Sequence, residues 1–228
     1  MELRSDRARA TRDIDLSLPD GNFLGLKVEE VLGVALQREL QNQVPKDLGD
    51  FFQFVISEPI LDLEAAPYGG ARFHIEARLD ERTFAKFHLD VGVGDAILKP
   101  LDVLKSHDWL AFAGIPPVSY PTLSKEQQFA EKIHAYTLPR DENRSNSRVK
   151  DLVDLLLLIQ SNELDRSRLR AALEATFKQR KTHLLPTKFP DPPSNWEKPF
   201  QQLAKEVGLD ENLAAGVKIV RRFFRETT

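Results

Sequence analysis

Two aspartates stand near the start of the chain, in Thr11-Arg12-Asp13-Ile14-Asp15-Leu16-Ser17-Leu18, with a single isoleucine between them. Ile14, Leu16 and Leu18 alternate with polar residues at period two, the pattern of a strand, so Asp13 and Asp15 share one face and Ile14 takes the other. Two carboxylates held that close repel each other. Cations offset the repulsion, and hard oxygen donors favour Mg²⁺ or Mn²⁺; the same pair also fits the solvent face of an edge strand. A third acid, Asp90, lies in Phe87-His88-Leu89-Asp90-Val91, where the apolar residues take one face and His88 and Asp90 the other. Three strand-borne acids are the arrangement with which nucleotidyl transfer orients a triphosphate and activates a hydroxyl.

A second pair of acids has a different setting. Asp151 and Asp154 lie at i and i+3 in RVKDLVDLLLLIQ (148–160), a helix apolar nearly all round and therefore expected to be buried. Like charges so placed need a partner, and Arg148, Lys150 or a metal could serve; the helix N-terminal dipole accounts for Asp151 better than for Asp154. Between 166 and 188 the cations Arg166, Arg168, Arg170, Lys178, Arg180, Lys181 and Lys188 face only Glu174, which makes either a phosphate-binding block or a solvated helix face. Phe223 and Phe224 stand beside Arg221, Arg222 and Arg225, where core packing is the safer reading than an RNA-stacking patch.

The elements that must carry these residues follow from periodicity. Apolar residues at helical spacing predict a helix over 27–44, ended by Pro45. Three β-like stretches, 51–63, 70–79 and 84–93, are separated by the turns Tyr68-Gly69-Gly70 and Asp80-Glu81-Arg82, which predicts an antiparallel meander; with the Asp13/Asp15 strand it makes a mixed sheet. From about 103 the pattern turns helical, with one extended piece at Val118–Thr122. Ser124, with Gln127 three residues on, has capping-box spacing and opens a helix through Leu138. A polar loop follows, then the helix 148–160, a basic helix over 166–181, a proline-rich linker at 187–195, and helices around 196–207 and 211–226. The expected fold is α+β: a mixed, mainly antiparallel sheet with flanking helices over 1–100, then a mainly helical region over 101–228.

Composition excludes several classes. The 228 residues include no cysteine, so disulfides, cysteine nucleophiles and thiolate metal sites are out, and a reducing compartment fits. No apolar run approaches the roughly 18 residues of a membrane span, and MELRSDRARA is too charged for a signal peptide. A cytoplasmic location with no membrane partner is the expectation. The net charge of −3 argues against a general nucleic-acid binder, but it conceals the basic block.

Over roughly residues 11–160 the chain resembles the AbiEii-type nucleotidyltransferase toxins, which share the core of the DNA polymerase beta-like nucleotidyltransferases. The resemblance rests on Arg12-Asp13-Ile14-Asp15, on Leu89-Asp90-Val91, on Lys132 in FAEKIHAY, and on Ser147-Arg148-Val149-Lys150-Asp151-Leu152-Val153-Asp154-Leu155. It implies a nucleotidyltransferase-like sheet and an enzyme that uses an NTP with Mg²⁺ or Mn²⁺. Asp13 and Asp15, with Asp90 as the third acid, are implied as metal ligands, Asp90 serving as ligand or base. Lys132 is implied as the cation that neutralises phosphate charge and Asp154 as an essential acid. Arg12, Arg148, Lys150 and Asp151 belong to the implied nucleotide-binding set. The resemblance also implies RNA as acceptor, the tRNA acceptor end in particular, a cognate antitoxin as partner, and a role in a toxin–antitoxin or phage-defence module. Arg166, Arg170, Lys178, Arg180 and Lys181 would then cradle RNA phosphates.

One departure stands out. The family's first motif opens with a Gly-Gly or Gly-Ser turn upstream of the Asp-x-Asp strand, and Met1 falls inside that region. The expectation is that the natural reading frame continues upstream of Met1. Two other readings stay open: a catalytically silent member that binds RNA or a protein through the same fold, and a nucleotidyltransferase acting on a small molecule.

Overall fold

A computed structural model of the chain describes Arg4 and residues 13–19, 32–44, 51–63, 66–139, 148–210 and 212–228. Arg12, the first residues of the expected 27–44 helix, Pro45 and the loop at 140–147 lie outside the described residues. The chain divides into two compact units, one formed by Thr11–Ile97 with His107–Val118, the other by Met1–Ala10, Leu98–Ser106 and Ser119–Thr228.

The first unit holds a four-stranded sheet of β1 (Asp13–Leu18), β2 (Phe52–Asp62), β3 (Gly70–Leu79) and β4 (Arg82–Val93), in the order β1-β4-β3-β2. The meander is antiparallel, as its turns predict, and β1 joins it parallel to β4. The tight β3–β4 turn is made by Asp80 and Glu81, both left-handed with φ of 49° and 59°. Paired positive φ values match the right-handed twist of the flanking strands, and Asp tolerates that conformation better than most residues do. Gly70 faces the next strand so closely that a Cβ would lie 2.2 Å from the Val91 carbonyl oxygen, so no side chain fits there. Helix α1 (Leu32–Gln43) packs on β2 and β3, and the core between them contains Leu36, Ile56, Phe73, Ile75, Leu89 and Val91. These apolar strand residues occupy the face opposite to the aspartates, which the period-two alternation requires.

The second unit begins with a two-stranded hairpin, β5 (Asp102–Lys105) with β6 (Ser119–Thr122). This corrects the expectation of a helical pattern from about 103. Val103 and Leu104 are paired as strand residues with Pro121 and Tyr120, and the segment between the strands carries Gly114, Pro116 and Pro117, which cannot continue a helix. Helical structure starts at α2 (Lys125–Thr137) and continues with α3 (Val149–Gln160), α4 (Arg166–Arg180), α5 (Glu197–Glu206) and α6 (Leu213–Thr227). Ser124 caps α2 by accepting from the Gln127 N–H at 3.1 Å, the bond that its spacing predicts. Asp165 caps α4 through the Arg168 N–H and Asn212 caps α6 through the Ala215 N–H. The core gathers Phe129, Ile133, Leu152, Leu155, Leu169, Phe200 and Phe224, so α3 is buried almost all round and Phe224 packs inside. Arg4 binds across the hairpin, donating to Asp102 and to Thr122, each at 2.7 Å, and to the Leu123 carbonyl. No described helix is long and apolar enough to cross a membrane.

Candidate functional site

The parallel register of β1 and β4 sets Asp13 beside His88 and Asp15 beside Asp90. The antiparallel register of β3 and β4 sets His74 beside His88 and Arg72 beside Asp90. Paired residues of neighbouring strands point to the same side, so Asp13, Asp15, Arg72, His74, His88 and Asp90 form one polar face, turned away from α1. Asp13, Asp15 and Asp90 thus do share a face, as their sequence positions predict. Their partners are the new finding.

Asp90 spends both carboxylate oxygens on Arg72, which donates from Nε to Oδ1 and from Nη2 to Oδ2, each at 2.7 Å. This is the two-pronged fork in which guanidinium and carboxylate geometries match. The hydrogen bond to Asp90 is the main reason the Arg72 guanidinium is held protonated beyond its ordinary range; burial opposes it, and the charges of Asp90, Asp13 and Asp15 add to it. His88 Nδ1 lies 3.1 Å from Asp13 Oδ1, and the rings of His74 and His88 lie tilted at 37° with centroids 4.7 Å apart. The charge of Asp90 is therefore offset from inside the protein by Arg72, where the sequence suggested a metal.

The Mg²⁺ or Mn²⁺ that the resemblance implies needs hard oxygen donors. Among the described residues no three or more His, Asp or Glu side chains are grouped to hold a metal ion by themselves. Mg²⁺ is commonly held by one or two carboxylates, with substrate phosphates and water completing the octahedron. Asp13 and Asp15, hard oxygen donors with half-exposed and exposed side chains, fit that partial set. Asp90, engaged by Arg72, does not offer a comparable oxygen.

In the helical unit the second pair of acids has found a cation on another helix. Lys132, on α2, places Nζ 2.6 Å from Asp154 Oδ2 and 3.5 Å from Asp151 Oδ1. Arg148 approaches Asp151 at 3.6 Å, whereas Lys150 is exposed. Asp154 is fully buried, so the ammonium is the counter-charge that makes a carboxylate tolerable in that core. The sequence offers Arg148, Lys150 or a metal as partner, and Arg148 does approach Asp151; Lys132 becomes adjacent only when α2 packs on α3.

Several cations of the basic block are engaged by their own protein: Arg168 donates to the Pro100 carbonyl at 3.3 Å and lies 3.8 Å from Glu126. Arg166 donates to the Phe223 carbonyl, to Thr227 Oγ1 and to Glu226, and its guanidinium lies 4.1 Å from the Phe223 ring centre. Arg170 donates to the Thr227 carbonyl at 3.0 Å. Both satisfy carbonyls in the last turn of α6, where cations are favoured. Lys178 and Lys181 are exposed and Arg180 is half-buried.

Arg72 and His74 were missed in the sequence, although the alternation Arg72-Phe73-His74-Ile75-Glu76 placed them together on a polar face. What the sequence lacked was the register that brings Arg72 to Asp90.

Residues 1–223 match the family described as nucleotidyl transferase AbiEii toxin, type IV TA system. Among solved structures, the fold is similar to that of the nucleotidyltransferase toxin MenT4 of Mycobacterium tuberculosis, with a TM-score of 0.54 and 15% identity, covering 95% of this chain and 68% of that one. No curated protein sequence matches the chain significantly.

Proposed function

The chain belongs to the AbiEii nucleotidyltransferase toxin family of type IV toxin–antitoxin systems, and from that premise we propose that it transfers a nucleotide from an NTP to RNA, at the acceptor end of tRNA. The observation that carries this reading is the polar face of the sheet, on which β1 and β4 hold Asp13 and Asp15 alongside Asp90 in register and open to solvent on the side away from α1.

In the reaction the RNA hydroxyl oxygen forms a bond to the α-phosphorus, the bond from that phosphorus to its bridging oxygen breaks, and pyrophosphate leaves with the electron pair while the hydroxyl proton passes to water. Asp13 and Asp15 would hold Mg²⁺ or Mn²⁺, which when bound supplies charge neutralisation and alignment of the phosphate oxygens. Lys132 is the proposed phosphate-contacting cation, oriented by Asp154 and Asp151; a fixed ammonium counts most as charge develops on the transferring group. Arg148 and Lys150, at the start of α3, are proposed phosphate contacts. Of the basic block, Lys178, Arg180 and Lys181 remain the proposed RNA contacts, since Arg166 and Arg170 are engaged by α6. A cognate antitoxin would restrain the activity, and the cytoplasm, where tRNA is found, is the proposed location.

Incubation of the purified chain with labelled NTPs, Mg²⁺ and total tRNA tests the reading, with label on RNA as the expected result. A silent, RNA-binding member is the second reading, favoured by the internal neutralisation of Asp90 by Arg72. Retention of tRNA with no label transferred would select it.

A further inference from the structure

The Arg72–Asp90 pair has no assigned part in the chemistry described so far. Its position is specific: Arg72 is directly opposite Asp90 across β3 and β4, Asp90 is directly opposite Asp15 across β4 and β1, and both residues are partly open to solvent, with 30% and 15% of their side chains exposed. A triphosphate approaching this face meets Asp13, Asp15 and Asp90, three groups of its own sign. Divalent cations on Asp13 and Asp15 would answer two of them. The third is already answered by a guanidinium, the side chain best shaped to receive phosphate oxygens in a fork.

Building on the nucleotidyl-transfer reading, we propose that Arg72 is a triphosphate-binding residue and that Asp90 is its positioning residue, not a metal ligand. The fork to Asp90 uses Nε and a hydrogen of Nη2, whereas a guanidinium carries five N–H donors in one plane. Anchoring one edge of that plane fixes the direction of the rest and removes rotamer freedom that binding would otherwise have to remove. The charge that Asp90 presents beside Asp15 is thus met within its own hydrogen-bonded pair. Lysine at position 72 would keep the charge and lose the fork, so the proposal distinguishes the two cations.

The test measures binding of inorganic triphosphate by calorimetry, with and without Mg²⁺, and binding of Mn²⁺ alone by electron paramagnetic resonance. The chains compared are wild type, Arg72→Gln, Arg72→Lys, Asp90→Asn, the Arg72→Gln/Asp90→Asn double variant and Asp15→Asn. Arg72→Gln and Asp90→Asn should each weaken triphosphate binding by about tenfold to a hundredfold, the loss of a charge-assisted hydrogen-bonded contact. The double variant should be no worse than the worse single, because Asp90 acts through Arg72. Arg72→Lys should not restore wild-type affinity. Mn²⁺ affinity should stay within about twofold of wild type in Asp90→Asn, while Asp15→Asn, which removes a direct ligand, should lose about tenfold or more.

Unchanged triphosphate affinity in folded Arg72→Gln and Asp90→Asn would overturn the proposal and leave the pair as a strand-to-strand tie, and loss of Mn²⁺ affinity in Asp90→Asn would return Asp90 to the metal. Should the variants not fold, phenylglyoxal modification of the wild-type chain decides the matter: triphosphate must protect Arg72 from the reagent, and modification at an undiminished rate refutes its role. Triphosphate bound through Arg72 without label reaching RNA would sink the RNA-transfer reading alone. A wild-type chain that binds no triphosphate defeats both.

Discussion

Asp13 and Asp15 are two residues apart on a strand, Asp151 and Asp154 three apart on a helix, and each pair puts two negative charges on one side of its element. The first pair stands half-exposed and exposed, with water as its main solvent and His88 at the flank. The second is buried, Asp154 completely, and is met by the Lys132 ammonium. The same residue type therefore carries opposite structural weight. In water each charge is screened, and deleting one relieves repulsion. In the core each charge depends on its partner, and removing that partner strands the other.

The sharpest way to break this contrast is Lys132→Ala. Removing the ammonium from a fully buried carboxylate is expected to cost about 3–5 kcal/mol in urea unfolding, whatever it does to turnover. The double variant Lys132→Met/Asp154→Leu should recover most of that loss, since apolar groups of similar volume replace the ion pair. A single variant as stable as wild type would show that the buried acid does not rely on Lys132.

His134 sharpens the same contrast by pH. It is buried between α2 and α4, with Nε2 2.7 Å from Thr182 Oγ1 and its ring edge-on to Phe177. Burial, reinforced by the charges of Arg180 and His183, lowers its pKa from 6.5 to about 3. Below pH 6.5 the unfolded chain takes up a proton that the folded chain refuses until about pH 3. Stability from this group is thus complete above 6.5 and falls as pH drops through that window, by up to about 1.4 kcal/mol per unit. In paired urea titrations at pH 4.5 and 7, His134→Gln should lose less stability on acidification than wild type. Equal losses would mean that His134 protonates freely in the folded protein.

Arg166→Ala is expected to have a smaller effect. Its hydrogen bonds to the end of α6 are half-exposed and screened, so a loss of about 1 kcal/mol is expected, with tRNA retention unchanged. A large fall in retention at unchanged stability would return Arg166 to the RNA surface. Smallest of all in stability is Asp15→Asn: its urea midpoint should match wild type to within about 0.5 kcal/mol or exceed it, while label transfer disappears. A marked drop in the midpoint would make Asp15 a structural residue and erase the difference between the two pairs.

Much of this was legible in the chain itself. Period-two alternation put Asp13 with Asp15 and His88 with Asp90, and the turns at Tyr68-Gly69-Gly70 and Asp80-Glu81 announced the meander. Ser124 and Gln127 marked the start of α2, and the apolar run after Lys150 marked a buried helix. These are local properties, set by backbone geometry within a few residues. Of the β5–β6 hairpin, β6 was legible as the extended piece at Val118–Thr122, but β5 was not, because a strand of four residues has too little pattern and its partner lies across a long connection. Nor was the Lys132–Asp154 pair, whose members meet through helix packing.

The site itself turns on one residue of register. Counting back from the Leu79–Arg82 pair at the β3–β4 turn, an unbroken ladder would set Arg72 opposite Leu89, on the apolar side of β4. The pairing shifts between Ala77 and Arg78, where Phe84 is passed over, and beyond that bulge Arg72 faces Asp90 and His74 faces His88. Side chains alternate with period two, so a slip of one residue exchanges the two faces of the sheet. The sequence alone determined which residues of each strand travel together: acids and histidines on one side, Phe73, Ile75, Leu89 and Val91 on the other. Only the tertiary structure decided which acid receives the arginine, because that choice depends on a bulge that lets the apolar sides of both strands meet under α1.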